Sequence, residues 1–355
     1  MARVSFVLPV GGGGGGAHSV VQEVDAMRDL GVEARILVNQ ANAEYFRAAY
    51  DRFPWVAEGG MEAFDGNRHL ASLLADSDVA VATTNTSAHA IADTHKSMRG
   101  LGFRHAYYVQ DYEPLFYRAG STEHALAVAS YSVLRDCTYF SKTRWLAGMV
   151  EATHGHATAL VVPSVDHGLY RPVRRAPGAL RQVVAMVRPA TPRRAPRRTL
   201  RMLARLAAGE FGPVALTAFG CTEEDLAAAG LALPDGVTLL GRLRQQEVAE
   251  LLRATDVFLD LSDYQGFGRT AAEAMACGAV VLAPRLGGAS DFITDGESGF
   301  LANTTDDAAV AETIRRMLSL SEAEQRRMRL AALEAVSGFT PVRAAISELR
   351  ALGLG

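Results

Sequence analysis

Gln265 and Glu273 bracket a glycine-rich turn in the stretch "DYQGFGRTAAEAMACG" (263–278). A carboxylate on the first turns of an otherwise apolar helix has two main uses. It can complement the helix dipole, or it can accept hydrogen bonds from the hydroxyls of a ligand such as a ribose. Gly266 and Gly268 permit positive φ and close backbone approach. A helix starting at Arg269 or Thr270 then aims unpaired amides at an anion. Tyr264, Gln265, Gly266, Phe267, Gly268, Arg269, Thr270 and Glu273 are therefore candidate ligand contacts.

A counter-charge is available nearby in the sequence. Eleven arginines fall between Arg171 and Arg205, whereas lysine occurs only at Lys96 and Lys142. One reading of the cluster is a solvated face close to a linker. The other is an anion site: in "VAMVRPATPRR", Arg188 ends a strand and Arg193 and Arg194 occupy the following loop. Guanidinium groups there can clamp a diphosphate in bidentate fashion and stabilise it as a leaving group.

The segment "VQDYEPLFY" (109–117) leaves another strand with two carboxylates, Asp111 and Glu113. Either could orient an acceptor hydroxyl or act as a base, and a capped turn around Pro114 is the competing reading. His89 is a weaker candidate of the same kind. Gly11–Gly16 contain a dinucleotide-type glycine pattern, but six glycines satisfy it trivially. The second strand also ends in Asn39 and Gln40, without the acidic residue a nicotinamide ribose needs. Gly13 and Gly14 remain candidates for backbone approach to a ligand. "DSD" (76–78) precedes a strand and is read as a turn, not a metal motif. "HGH" (154–156) is read as a helix end, and no metal ligand set is found.

These residues need a scaffold that brings strand ends together. Short apolar runs alternate with helical patterns throughout, the signature of parallel sheets covered by helices. Strands are expected at 4–10, 33–39, 79–84, 105–110, 137–141, 157–164, 182–189, 214–220, 237–243, 256–262 and 279–284. Ser141 is expected to cap a helix through 142–155, and further helices are expected at 17–31, 199–211, 244–256 and 340–353. The expected organisation is an α/β domain at 1–168, a linker at 169–181 and a second α/β domain at 182–338. A C-terminal helix, 339–355, has the first domain as its expected packing partner. In open α/β sheets ligands sit outside the carboxyl ends of the strands.

At 355 residues, 49% hydrophobic and 21% charged, the composition is globular. The net charge of −3 makes no claim on nucleic acid or anionic membrane. Three widely spaced cysteines and no long apolar run lead to the expectation of a cytoplasmic protein without strong membrane signals.

"GRLRQQEVAELLRATDVFLDLSDYQGFGRTAAEAMACGAVVLAPRLGGASDFITDGESGFL" (241–301) resembles the donor half of retaining glycosyltransferases of family 4. "YYVQDYEPLFYRAGSTEHALAVASYSVLRDCTYFSKTRW" and "MVRPATPRR" resemble its rhamnosyltransferase-like branch. The resemblance implies a GT-B fold, two Rossmann-like α/β domains with parallel sheets facing a central cleft. It implies transfer of a sugar, such as the deoxysugar rhamnose, from a UDP or dTDP donor to an acceptor hydroxyl with retained configuration. No cofactor or metal is implied beyond the nucleotide-sugar co-substrate; the acceptor could be a small molecule, a glycan or a natural product. By the same resemblance Glu273 binds the ribose, Arg188 the phosphates with Arg193 or Arg194 assisting, and Gly241, Arg242 and Leu243 lie against the base. Gln265 stands where the family has its first motif glutamate, which leaves donor-sugar identity open. An epimerase, a non-catalytic nucleotide-sugar binder and a nicotinamide oxidoreductase are the competing classes.

Overall fold

A computed structural model of the chain describes residues 2–174 and 180–355. Arg175 and part of the expected linker lie outside the described residues. The chain divides into two units, one formed by Met1–Ser164 with Phe339–Gly355 and the other by Val165–Gly338.

The first unit carries seven parallel strands: β1 (Arg3–Val7), β2 (Glu33–Asn39), β3 (Met61–Phe64), β4 (Val79–Ala82), β5 (Arg104–Val109), β6 (Thr138–Ser141) and β7 (Thr158–Leu160). Their order is β3-β2-β1-β4-β5-β6-β7. Strands such as β4, buried along its whole length, have both faces covered, as a parallel sheet requires. The helix Pro341–Ala351 packs on the helix Gly15–Asp29, with Ala345 and Leu349 inside this unit's core.

The second unit repeats the plan with β8 (Arg181–Met186), β9 (Val214–Phe219), β10 (Val237–Leu239), β11 (Val257–Leu259), β12 (Val280–Pro284) and β13 (Phe300–Ala302), all parallel, in the order β10-β9-β8-β11-β12-β13. In each sheet the strand order reverses beside the unit's first strand, between β1 and β4 and between β8 and β11. These are the topological switch points where such sheets open a crevice for ligands.

Several expectations need correction. Strands β3 and β13 were not anticipated; they are strands through their parallel pairing with β2 and β12. Ser141 does not cap a helix: it is the last residue of β6, paired with Val109 and Leu160. Thr143 takes the cap instead, accepting from the Leu146 amide. The helix after β8 starts at Pro196 and not at 199, following Ala195 with φ +48°. The start of the expected linker is packed structure, since Tyr170 is buried in the second unit.

Candidate functional site

The loop after β11 is held from several sides. Thr304 Oγ1 donates to the Ser262 carbonyl (2.5 Å), and Arg198 donates to the Leu261 carbonyl (2.9 Å) and pairs with Asp263 (2.8 Å). The Gly288 amide donates to the Gln265 carbonyl (2.8 Å). Gly287 has φ +114°, and a Cβ there would collide with the Gln265 backbone, so only glycine allows this approach. Phe267 is buried against Phe292, with ring centroids 5.3 Å apart.

Gly268, at φ +90°, turns the chain into the helix Arg269–Ala276. The helical ladder begins with the Ala272 amide donating to the Gly268 carbonyl, so the amides of Arg269, Thr270 and Ala271 have no acceptor in the helix. Among the described residues no side chain caps this end. Glu273 is 4% exposed, with Arg269 Nη1 3.4 Å from its Oε1. Burial pushes its carboxyl up to about 7, against the pull of Arg269 and a hydrogen bond from Tyr170.

The arginine cluster resolves into paired and unpaired members. Arg181 donates to the carbonyls of Met317, Leu318 and Leu320 at a helix end. Arg201 pairs with Asp307 (2.8 Å) and Arg205 with Glu210 (2.5 Å). Arg188, just past β8, has no carboxylate partner among the described residues. Its surface is exposed, yet the surrounding protein desolvates it, and desolvation, then Arg193 and Arg242, hold its guanidinium below the ordinary value. A cation held down by neighbouring cations is suited to an anion. The Asp263 amide donates to the Arg193 carbonyl (2.8 Å), which ties the loop after β8 to the loop after β11. Arg194 follows in the same turn.

Arg242 follows β10 at an exposed position and forms a two-point contact with Asp225 (2.6 and 3.1 Å). Gly241 has φ +75° and accepts from the Gly220 amide (2.7 Å), and Leu243 is half-buried. Tyr264 is half-buried in the turn before Gln265. Arg188, Arg193, Arg194, Arg242, Leu243 and the residues from Tyr264 to Gly268 are thus on strand ends or adjoining turns of one sheet, and Arg269, Thr270 and Glu273 are on the helix that follows.

Four expected residues belong to the first unit. Gly13 and Gly14 follow β1, and the Gly13 amide donates to the Tyr50 hydroxyl (3.2 Å). Asp111 follows β5 and accepts from the Tyr112 amide (2.9 Å). Glu113 accepts from the Asn85 amide (3.0 Å) and side chain, at the start of the helix Asn85–Ser97. Its carboxylate complements that helix end, a structural use. His89 bonds the Leu126 carbonyl (2.8 Å). His154 and His156 stack on Tyr131 and Tyr139, and among the described residues no group of three potential metal ligands occurs.

Sequence reading missed Asp260 and Asp225. Asp260 had a signal, an acid inside the apolar run "DVFLDLS". Asp225 is the acidic third position of a capping box with Thr222, recognisable as such but with no sign of its contact to Arg242.

Residues 178–333 match the family model for glycosyl transferases group 1. The D-inositol 3-phosphate glycosyltransferase of Stackebrandtia nassauensis is 34% identical over 168 residues, 47% of this chain and 36% of that one. The O-antigen biosynthesis protein RfbC of Myxococcus xanthus is 34% identical over 242 residues, 68% of this chain and 18% of that one. The chain thus spans well under half the length of these curated relatives. The Anabaena protein HepE, solved in complex with UDP-glucose, superposes with a TM-score of 0.78 at 18% identity, covering 99% of this chain and 100% of that one. That likeness shows the fold, GT-B, with two Rossmann-like parallel α/β units. No helix among the described residues is long and apolar enough to cross a membrane.

Proposed function

We propose that this chain is a glycosyltransferase that moves a sugar from a nucleoside diphosphate to an acceptor hydroxyl. The observation that carries the reading is Arg188. Among the described residues it has no carboxylate partner, it is flanked by Arg193 and Arg242, and it lies on the same sheet edge as a glycine-led helix N-terminus and the buried carboxylate of Glu273. A diphosphate supplies the missing negative charge, and a ribose supplies hydroxyls for Glu273. The group 1 match over this unit supports the same assignment, as does the superposition on a protein solved with UDP-glucose.

In this proposal the arginines and the amides of residues 269–271 stabilise the departing diphosphate, so no general acid is needed on that side. The leaving charge is met by protein groups, and no metal is required. Family 4 membership, the rhamnosyltransferase-like branch, retention of anomeric configuration by front-face attack and a deoxysugar donor on UDP or dTDP are the finer parts of the proposal. Asp111 is its acceptor-side group, and Glu113 serves as a helix-end partner. The acceptor is a small molecule, a glycan or a natural product.

Calorimetric titration with UDP, dTDP and GDP, with and without Mg²⁺, tests the reading on wild type and Glu273→Ala. Metal-independent binding of one nucleotide, weakened in the variant, is the expected result. A folded protein that binds none of the three refutes it.

A further inference from the structure

Gln265 is 4% exposed and its amide has a defined orientation. Nε2 donates to Asp260 Oδ2 (2.7 Å) and to Ser262 Oγ (2.9 Å). Both amide hydrogens are thereby committed, and the function left to the side chain is the acceptor Oε1. Asp260, 8% exposed and one residue past β11, also accepts from the Ser262 amide (3.1 Å) and hydroxyl (2.5 Å). All three donors are neutral, so among the described residues no arginine or lysine pairs with this carboxyl group at the sheet edge.

The sheet sets an order along its carboxyl edge. Arg242 follows β10 and Arg188 follows β8, while Asp260 and Gln265 follow β11, and Gly287, against Gln265, follows β12. Neighbouring strands are about 5 Å apart, so Arg242, three strands from Asp260, is roughly 15 Å away along the edge, and Arg188, one strand from β11 and two from β12, is roughly 5–10 Å from the acid–amide end. That is about the span from a diphosphate to the far hydroxyls of an attached hexose. Cations suit the phosphates, and a neutral acceptor backed by a carboxylate suits hydroxyls.

We infer that Asp260 is a positioning residue for the sugar end of the donor: it locks the Gln265 amide so that Oε1 meets a sugar hydroxyl, and it supplies the subsite's negative charge. The inference rests on the donor reading above and makes the glutamine a requirement. A glutamate at 265 would face Asp260 across a hydrogen-bond distance, and two carboxylates so placed must share a proton. The charge can instead be exchanged, with an amide at 260 donating to a carboxylate at 265.

The test compares UDP with UDP-glucose, UDP-galactose and dTDP-rhamnose by calorimetry at pH 6 and pH 8. The proteins are wild type, Gln265→Glu, Asp260→Asn and the double variant Asp260→Asn/Gln265→Glu. The sugar-dependent part of the affinity, donor over nucleotide, should fall about tenfold or more in Gln265→Glu at pH 8 and recover toward pH 6. The double variant should return to within about threefold of wild type with no such pH dependence. Thermal unfolding gives a ligand-free readout of the pair: Gln265→Glu should lose stability from pH 6 to pH 8, and the double variant should not. If Gln265→Glu binds donor and nucleotide as wild type does, or if the folded double variant stays as weak as the single, the inference fails while the donor reading stands. If wild type binds no nucleotide, the donor reading itself fails.

Discussion

Changing Glu273 to Gln separates charge from shape at the ribose end of the proposed site. In the wild type the carboxyl titrates at about 7 because burial outweighs its 3.4 Å contact with Arg269. About nine-tenths of it is ionised at pH 8 and about one-tenth at pH 6. A hydrogen bond to a charged acceptor contributes roughly 1 kcal/mol more than one to a neutral acceptor. Wild type should therefore bind UDP roughly five- to tenfold more tightly than Glu273→Gln at pH 8, and the two should converge near pH 6. The terminal phosphate of the nucleotide also titrates near pH 6, but it is common to both proteins, so the ratio of affinities is the readout. Folding carries the opposite sign. The native carboxyl holds its proton more tightly than the unfolded one, whose ordinary value is 4.5. The stability associated with that proton is present below 4.5, declines as pH rises through the window to about 7, and is absent above it. Titrations at pH 6, 7 and 8 and constant ionic strength, with melting curves on the same samples, measure both effects. A wild-type to variant ratio that stays flat from pH 6 to 8 refutes the ribose role and the titration behind it.

Arg188→Ala should weaken nucleoside diphosphate binding by about 1.5–3 kcal/mol, roughly 10- to 150-fold, with little change in melting temperature, because no carboxylate in the protein is left behind; a large loss of stability would show a structural role. Gly268→Ala forces a side chain into φ +90° at the helix start and should cost about 1–2 kcal/mol of stability by denaturant unfolding. Glu113→Ala should destabilise the protein by about 1–3 kcal/mol, the penalty for leaving the Asn85 groups unpaired, whether or not ligand is bound. Unchanged stability would return Glu113 to the list of reactive groups.

Much of the architecture was legible in local pattern. Apolar runs marked eleven of the thirteen strands, and the glycine turn before Arg269 marked the helix start, because parallel strands buried on both faces need continuous apolar sequence. Strands β3 and β13 were missed because pairing with a neighbour, and not their own composition, makes them strands.

The sequence by itself determined the residue types at the proposed site: a carboxylate at 273, an amide at 265, glycines that permit the turn, and a cluster of arginines. The tertiary structure decided which of them are available. Arg181 and Arg201 are occupied by carbonyls and a carboxylate far along the chain, and Arg205 by the nearby Glu210, whereas Arg188 is left to other cations. Gln265 stands out in the sequence as an isolated departure, and in the structure it is the amide that the carboxylate of Asp260 requires. Charge at a single position is a local property, but whether that charge is met or left over depends on which strand ends the fold places side by side.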